Sequence, residues 1–135
     1  MDYLSLLMLA LHIICAVVLV GGAIAWRFAS LPGVQLLDAE TRTKVENAAA
    51  AAWRPWVFAA IAGVLITGIY NFLNRPIKTP TFHMLFGIKM LLALHVFAVW
   101  GIAAKPNNTK HSRQLTGVVV SGILILIISA AFRWV

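Results

Sequence analysis

The sequence predicts an all-α fold, an integral membrane four-helix up-down bundle with a cytoplasmic helix in its first loop. Three observations point there: four apolar runs of membrane-spanning length, basic residues sorted to one side of them, and short polar linkers. Of 135 residues, 61% are hydrophobic and 11% charged, which is a single domain by length and too apolar for a soluble one. A helix needs about 20 apolar residues to cross about 30 Å of hydrocarbon, and each run reaches that length.

The first span is read over residues 3–27. No Asp, Glu, Lys or Arg occurs between residues 3 and 26. Ala23-Ile24-Ala25 has the form of a signal-peptide cleavage site. Against that reading, Asp2 stands where a basic residue belongs, and the apolar stretch exceeds the roughly 7 to 15 residues of a signal core. The segment is expected to be retained as a helix.

Loop 1 is expected to begin with a turn at Leu31-Pro32-Gly33. Asp38 is then placed to cap a cytoplasmic helix in which Glu40 and Lys44, and Arg42 and Glu46, stand at i,i+4 spacing. That helix runs through the alanines at 48–52 to Pro55, where the second span, 55–74, should start. Trp53 and Trp56 are expected as interfacial belt residues there. A short linker around residues 74–80 leads to the third span, 81–104, and residues 105–114 lead to the fourth, 115–134. Short linkers put the second span beside the third, and the third beside the fourth. Gly21-Gly22, Gly63, Gly68, Gly117 and Ser121-Gly122 mark where backbones approach, as small residues do in lipid.

Basic residues give the orientation. Arg27, Arg42, Lys44, Arg54, Lys105, Lys110 and Arg113 flank loops 1 and 3, whereas only Arg75, Lys78 and Arg133 lie on the other side. The positive-inside rule then places loops 1 and 3 in the cytoplasm and both termini outside, a topology that a bacterial inner membrane fits. The formal charge of +7 is accounted for by topology, so no nucleic-acid partner is expected.

Three ionisable residues inside the spans are the candidate site: His12 in the first, Lys89 and His95 in the third. Such groups are costly in hydrocarbon and mark function. His12 lies nine residues past Tyr3 and Lys89 eight past Thr81, so they should be level, with His95 about 7 to 8 Å deeper. His83, Lys89 and His95, six residues apart, project about 120° from one another, so they cannot share one axis. His83 should sit near the outer surface.

On the first span Ser5, Met8, His12, Cys15 and Leu19 form one stripe at helical spacing. Imidazole with sulfur suits Cu(I), and a single imidazole facing a bundle interior suits haem iron. Met84, Met90 and His95 would extend a copper ladder. Lys89 has no Asp or Glu in the spans to pair with. A haem propionate or another anion would supply the charge; a neutral Lys89 would instead be a base or a metal ligand. With one Cys, an internal disulfide and a zinc-cysteine cluster are excluded.

The runs Leu11-His12-Ile13 with Gly21-Gly22, Thr67-Gly68-Ile69-Tyr70-Asn71-Phe72, and Ile88-Lys89-Met90-Leu91-Leu92 resemble those of the CopD-type (copper resistance D) membrane domain. The related HemJ-type protoporphyrinogen oxidases share the four-helix plan. The HemJ-type resemblance implies an oxidoreductase site at His12 and Lys89, with His12 a ligand of haem b. The CopD-type resemblance implies copper uptake across the inner membrane. The Tyr-x-Pro-Arg-like sequence that HemJ-type proteins carry after the first helix is replaced by Trp26-Arg27-Phe28-Ala29-Ser30, and His95 lies outside the matched pattern.

The leading expectation is a b-type haem protein in electron transfer or porphyrin oxidation, with a quinone or respiratory-chain partner. In it His12 and His95 ligate iron and Lys89 meets a propionate or substrate. Copper binding or transport, with Met8 and Cys15 added as ligands, is the alternative. An accessory subunit of a larger membrane complex is the third reading, and a homo-oligomer or such a complex is the expected assembly.

Overall fold

Side-chain caps set where the helices start. In the computed structural model, which describes residues 2–135, Asp2 accepts the Ser5 amide at 2.7 Å and opens α1, Tyr3–Ala25. The helix does not end there. A π-helical turn, Trp26–Ser30, carries it into a short α2, Leu31–Val34. The turn expected at Leu31-Pro32-Gly33 is therefore helical, and the chain reverses after it, at residues 35–38. Pro32 lies in the first turn of α2, where its missing N–H and fixed φ suit a helix.

Asp38 accepts the Thr41 amide at 3.1 Å and opens α3, Ala39–Leu73. Within it Glu40 and Lys44 pair at 3.1 Å. Arg42 does not turn to Glu46. Its guanidinium donates to the carbonyls of Gln35 and Leu37, which the preceding turn leaves without helical partners. At 35 residues α3 is about 52 Å long, well beyond the hydrocarbon thickness. Pro55 stands inside it, so the loop-1 helix and the second apolar run are one continuous helix.

Thr79 caps α4, Pro80–Ala103, with Pro80 in its first turn. The start of α5, His111–Ala131, has no side-chain cap. The loop before it is tied to α3 by two bonds between Asn47 and Asn107, the latter in the left-handed region at φ 57°.

The chain is all-helical among the described residues, and four helices are long and apolar enough to span a membrane. They form a bundle in which α1 packs between α3 and α5, and α4 packs against α5. The α3–α4 contact is slighter, made by Phe72 stacked on Phe82 and Phe86. Leu7, Ile14, Val17, Ile66, Ile69, Leu91, Leu94 and Ile127 are each more than half exposed, as lipid-facing residues are.

The tightly packed core lies at the loop-1 and loop-3 end. It comprises Leu19, Ala23, Trp26, Leu31, Ala50, Val57, Ala60, Val96, Trp100, Ala103, Ala104, Leu115, Val118 and Val119. Trp100, fully buried, donates its indole N–H to the Leu19 carbonyl at 2.8 Å. Trp26 and Trp53 lean on it with ring centroids 5.9 and 6.4 Å away. Trp53 is thus turned inward over Gly22 and is not a belt residue facing lipid, whereas Trp56 is 63% exposed. Lipid tails are as apolar as these side chains, so this core is held by shape fit and dispersion more than by removal from water.

Candidate functional site

The stripe of polar and sulfur-bearing residues on α1 is the face that meets α3. Ser5 Oγ lies 3.4 Å from the Tyr70 hydroxyl, His12 Nδ1 lies 3.0 Å from Thr67 Oγ1, and Cys15 Sγ packs over Gly63. These contacts climb α1 while descending α3. Met8 and Cys15 are half-buried on the same face as His12.

The Thr67 hydroxyl decides the His12 tautomer. Its proton goes to the Gly63 carbonyl at 2.6 Å, with the Val64 carbonyl at 3.4 Å. The oxygen can then only accept from the imidazole, so His12 Nδ1 carries the proton and donates it. Among the described residues no donor reaches Nε2, which keeps its lone pair. A ring held through one nitrogen by a hydrogen-bond acceptor and presenting the other is the usual arrangement of a metal-binding histidine. Gly68 makes room for it: a Cβ there would stand 3.2 Å from His12 Cε1.

Lys89, half-buried on α4, lies within electrostatic reach of His12 across the bundle. Among the described residues its ammonium meets no carboxylate. It stands over the Phe132 ring, 5.3 Å from the centroid, a contact worth roughly 0.5 to 2 kcal/mol. Phe132 belongs to an aromatic group with Phe72, Phe82 and Phe86, also held by Arg75, which stands 4.2 Å over Phe82 and donates to the Phe132 and Val135 carbonyls. His83 is exposed and edge-on to Phe72 and Phe82. Asp2, the one acid at this end, is engaged with Ser5, which holds its carboxyl below the usual carboxylate range.

His95 repeats the His12 pattern elsewhere. Its Nδ1 lies 2.9 Å from Ser121 Oγ on α5, and Gly117 leaves space for the ring, with a Cβ position 3.6 Å from His95 Cε1. The residue is exposed and borders an open recess with Val99, Lys110, Arg113, Gln114 and Gly117. Met8, His12 and Cys15 therefore share the α1 face toward α3, with Lys89 within electrostatic reach of His12, and His95 lies on the α4–α5 side. Among the described residues no three His, Cys, Asp or Glu side chains converge on a common metal position.

Three polar residues gain a role only in the structure. Thr67 and Ser121, which orient the two histidines, look like ordinary helix residues; their sign was a hydroxyl within an apolar run next to a Gly. His111 was read as part of a loop. It is 4% exposed, stacked on Trp26 with ring centroids 5.2 Å apart, and neither ring nitrogen has a hydrogen-bond partner. The Ala103 carbonyl lies near the ring but outside hydrogen-bond geometry. Leaving such a group unmet costs about 1 to 3 kcal/mol. No protein-family model, curated protein or solved structure matches this chain.

Proposed function

We propose that this chain is a haem b-binding membrane protein of electron transfer or porphyrin oxidation, with His12 as the iron ligand. The observation that carries the reading is the His12 ring, fixed through Nδ1 by Thr67 with no donor on Nε2, between the apolar membrane-length stretches of α1 and α3. The residues fit the group. A neutral imidazole with an oriented second nitrogen is a haem ligand, Lys89 is a cation lacking an anion, and apolar side chains at this level suit a macrocycle. Bound haem would supply one-electron redox chemistry.

The chain's own part is positional. Thr67 keeps the Nε2 lone pair directed, Gly68 sets the depth of the ring, and Lys89 offers its ammonium to a propionate or to the carboxylate of a substrate. The aromatic group around Phe132 holds that ammonium in place until an anion arrives. His95, oriented by Ser121 but on the α4–α5 face, is proposed as a second ligand only where a cofactor or a second copy reaches that face. The topology proposed with this reading is the up-down bundle with loops 1 and 3 in the cytoplasm and the termini outside a bacterial inner membrane. A quinone or another respiratory-chain component would exchange the electrons.

One observation favours copper as a second reading: Met8, His12 and Cys15 share the face of α1 that meets α3, a soft donor set suited to Cu(I). Haem and copper contents, measured per chain on protein purified in mild detergent, separate the two. Haem near one per chain and negligible copper is the expected result. Copper near one per chain without haem would replace the first reading by the second, and neither would leave the accessory-subunit reading.

A further inference from the structure

A recess of about 400 Å³ opens between α4 and α5 toward loop 3, lined by His95, Val99, Lys110, Arg113, Gln114 and Gly117. Lys110, Arg113, Gln114 and Gly117 fall at i, i+3, i+4 and i+7, so they make one stripe along the start of α5. His95 meets that stripe from α4. The edge of its ring lies over Gly117, whose Cβ position is 3.6 Å from Cε1 and 4.0 Å from Nε2, so the absent side chain keeps the recess open beside the imidazole.

Every polar side chain on this wall offers a donor. Lys110 and Arg113 are exposed cations; among the described residues neither has an ion-pair partner, and no acid lines the recess. Gln114 gives its amide oxygen to Asn108 Nδ2 at 2.6 Å, which leaves its N–H groups to donate. His95 is settled by Ser121. Thr116 and Ser129, on the same helix, each donate to the carbonyl four residues back, at 2.8 Å. Ser121, 7% exposed, makes no such bond among the described residues, and His95 Nδ1 stands 2.9 Å from its hydroxyl. A buried hydroxyl proton finds an acceptor, so it goes to Nδ1 and the imidazole carries its own proton on Nε2. The orientation is that of His12 but the tautomer is the opposite: His12 offers a lone pair, and His95 offers an N–H.

A wall of donors with two cations and one apolar member, Val99, calls for a negatively charged amphiphile rich in acceptors. We propose that this recess binds an anionic diacyl phospholipid, its phosphate held by Lys110, Arg113 and Gln114 and one acyl ester carbonyl accepting from His95 Nε2. Basic pockets between membrane helices take such headgroups. The spacing suits both contacts: Gly117, beside His95, lies four residues, or about 6 Å, further from loop 3 than Arg113, and a phospholipid carries its ester carbonyls on the tail side of its phosphate. A headgroup with its own cation would set that charge against Lys110 and Arg113, so phosphatidylglycerol fits and phosphatidylcholine does not. A quinone could accept from His95 but would leave both cations without an anion.

The proposal does not rest on what His12 binds, and lipid retention should be the same in His12→Ala. The full chain is purified in detergent and presented with diacyl phosphatidylglycerol, its dialkyl ether analogue, diacyl phosphatidylcholine or a short-chain quinone, and retained ligand is read by native mass spectrometry. Soluble glycerophosphate is titrated in parallel. Diacyl phosphatidylglycerol should be retained roughly 10-fold over phosphatidylcholine, as two cations beside an anionic headgroup give, and about 5-fold over the ether analogue, which lacks the carbonyl. Arg113→Gln should remove most of the first ratio and leave the second, and His95→Leu should do the reverse. Gly117→Leu, which fills the recess with both cations in place, should abolish retention. Lys105→Gln removes a charge from the same loop outside the recess and should change neither ratio. The diacyl-to-ether comparison needs no substitution, so it reads the His95 contact even where a variant fails to fold. Equal retention by the unmodified protein of phosphatidylglycerol and phosphatidylcholine, or of the diacyl and ether forms, would overturn the proposal. So would a loss in Lys105→Gln as large as in Arg113→Gln, or glycerophosphate or the quinone bound as tightly as the lipid.

Discussion

His12 and His95 are oriented in the same manner, each through Nδ1 by a hydroxyl on a neighbouring helix and each with a glycine beneath the ring, yet they face different helix pairs. For His12 the hydroxyl is itself tied to a backbone carbonyl, so the tautomer is decided by three atoms in a row. Thr67→Val keeps the shape and removes the acceptor. It should lower the affinity for the bound metal group by roughly 10 to 100-fold while helix content is unchanged, as loss of an outer-shell partner does, and a haem titration monitored by absorbance measures this. An unaltered affinity would show that Nδ1 anchoring is incidental. At this scale the sequence was legible where a residue is out of character: His12 and Lys89 stand out in apolar runs. Thr67 and Phe132, ordinary in such runs, gained their roles only through neighbours 55 and 43 positions away in the chain.

At the scale of elements, helix starts were easier to read than helix ends. Asp38 was recognisable as a cap because an Asp three residues before a free amide has one obvious use, and it makes that bond. Leu31-Pro32-Gly33 predicts a turn because Pro and Gly break helices in general, but these residues fit a first turn after a π-helical step. Trp53 was misread for a similar reason, since nothing local says that Gly22 leaves a gap for an indole. The Asp38 cap carries a pH dependence. Its hydrogen bonds to Thr41 hold the carboxyl below the ordinary carboxylate value, so the cap stabilises α3 at neutral pH and its contribution is lost as pH falls through that lowered value. The Thr41 amide should therefore remain protected from hydrogen exchange at pH 6 and lose protection in the acid range below the usual Asp titration, with Asp38→Asn much less sensitive. Protection that does not vary with pH would contradict the cap.

At the scale of the whole molecule the bundle has two unlike ends. The loop-1 and loop-3 end holds nearly all the buried residues, centred on Trp100, and the other holds His12, Lys89 and a layer of phenylalanines under cationic side chains. The packed end keeps the helices in register, and the site end can then present polar groups without needing to hold the fold together. Trp100→Ala, which deletes the largest buried side chain and its bond to Leu19, should destabilise the protein by about 3 to 5 kcal/mol in a reversible unfolding assay in detergent. A loss below about 1 kcal/mol would mean that the packed end does not dominate stability. Four membrane-length helices were legible from composition alone, because charge exclusion over 20 residues is a strong signal. How tightly each pair packs is not: the short linker after α3 puts α4 beside it, and the two touch through Phe72, Phe82 and Phe86, but α3 gives most of its face to α1.

The proposed role of His12 is to present a free nitrogen to haem iron. The reduced-minus-oxidised visible spectrum of the purified protein, recorded for the unmodified chain, for His12→Ala and for the exposed His83→Ala, tests it most directly. A b-type α band is expected in the unmodified protein and in His83→Ala, with its disappearance in His12→Ala while the protein stays folded. A colourless unmodified protein, or a band that survives the loss of His12, would contradict it.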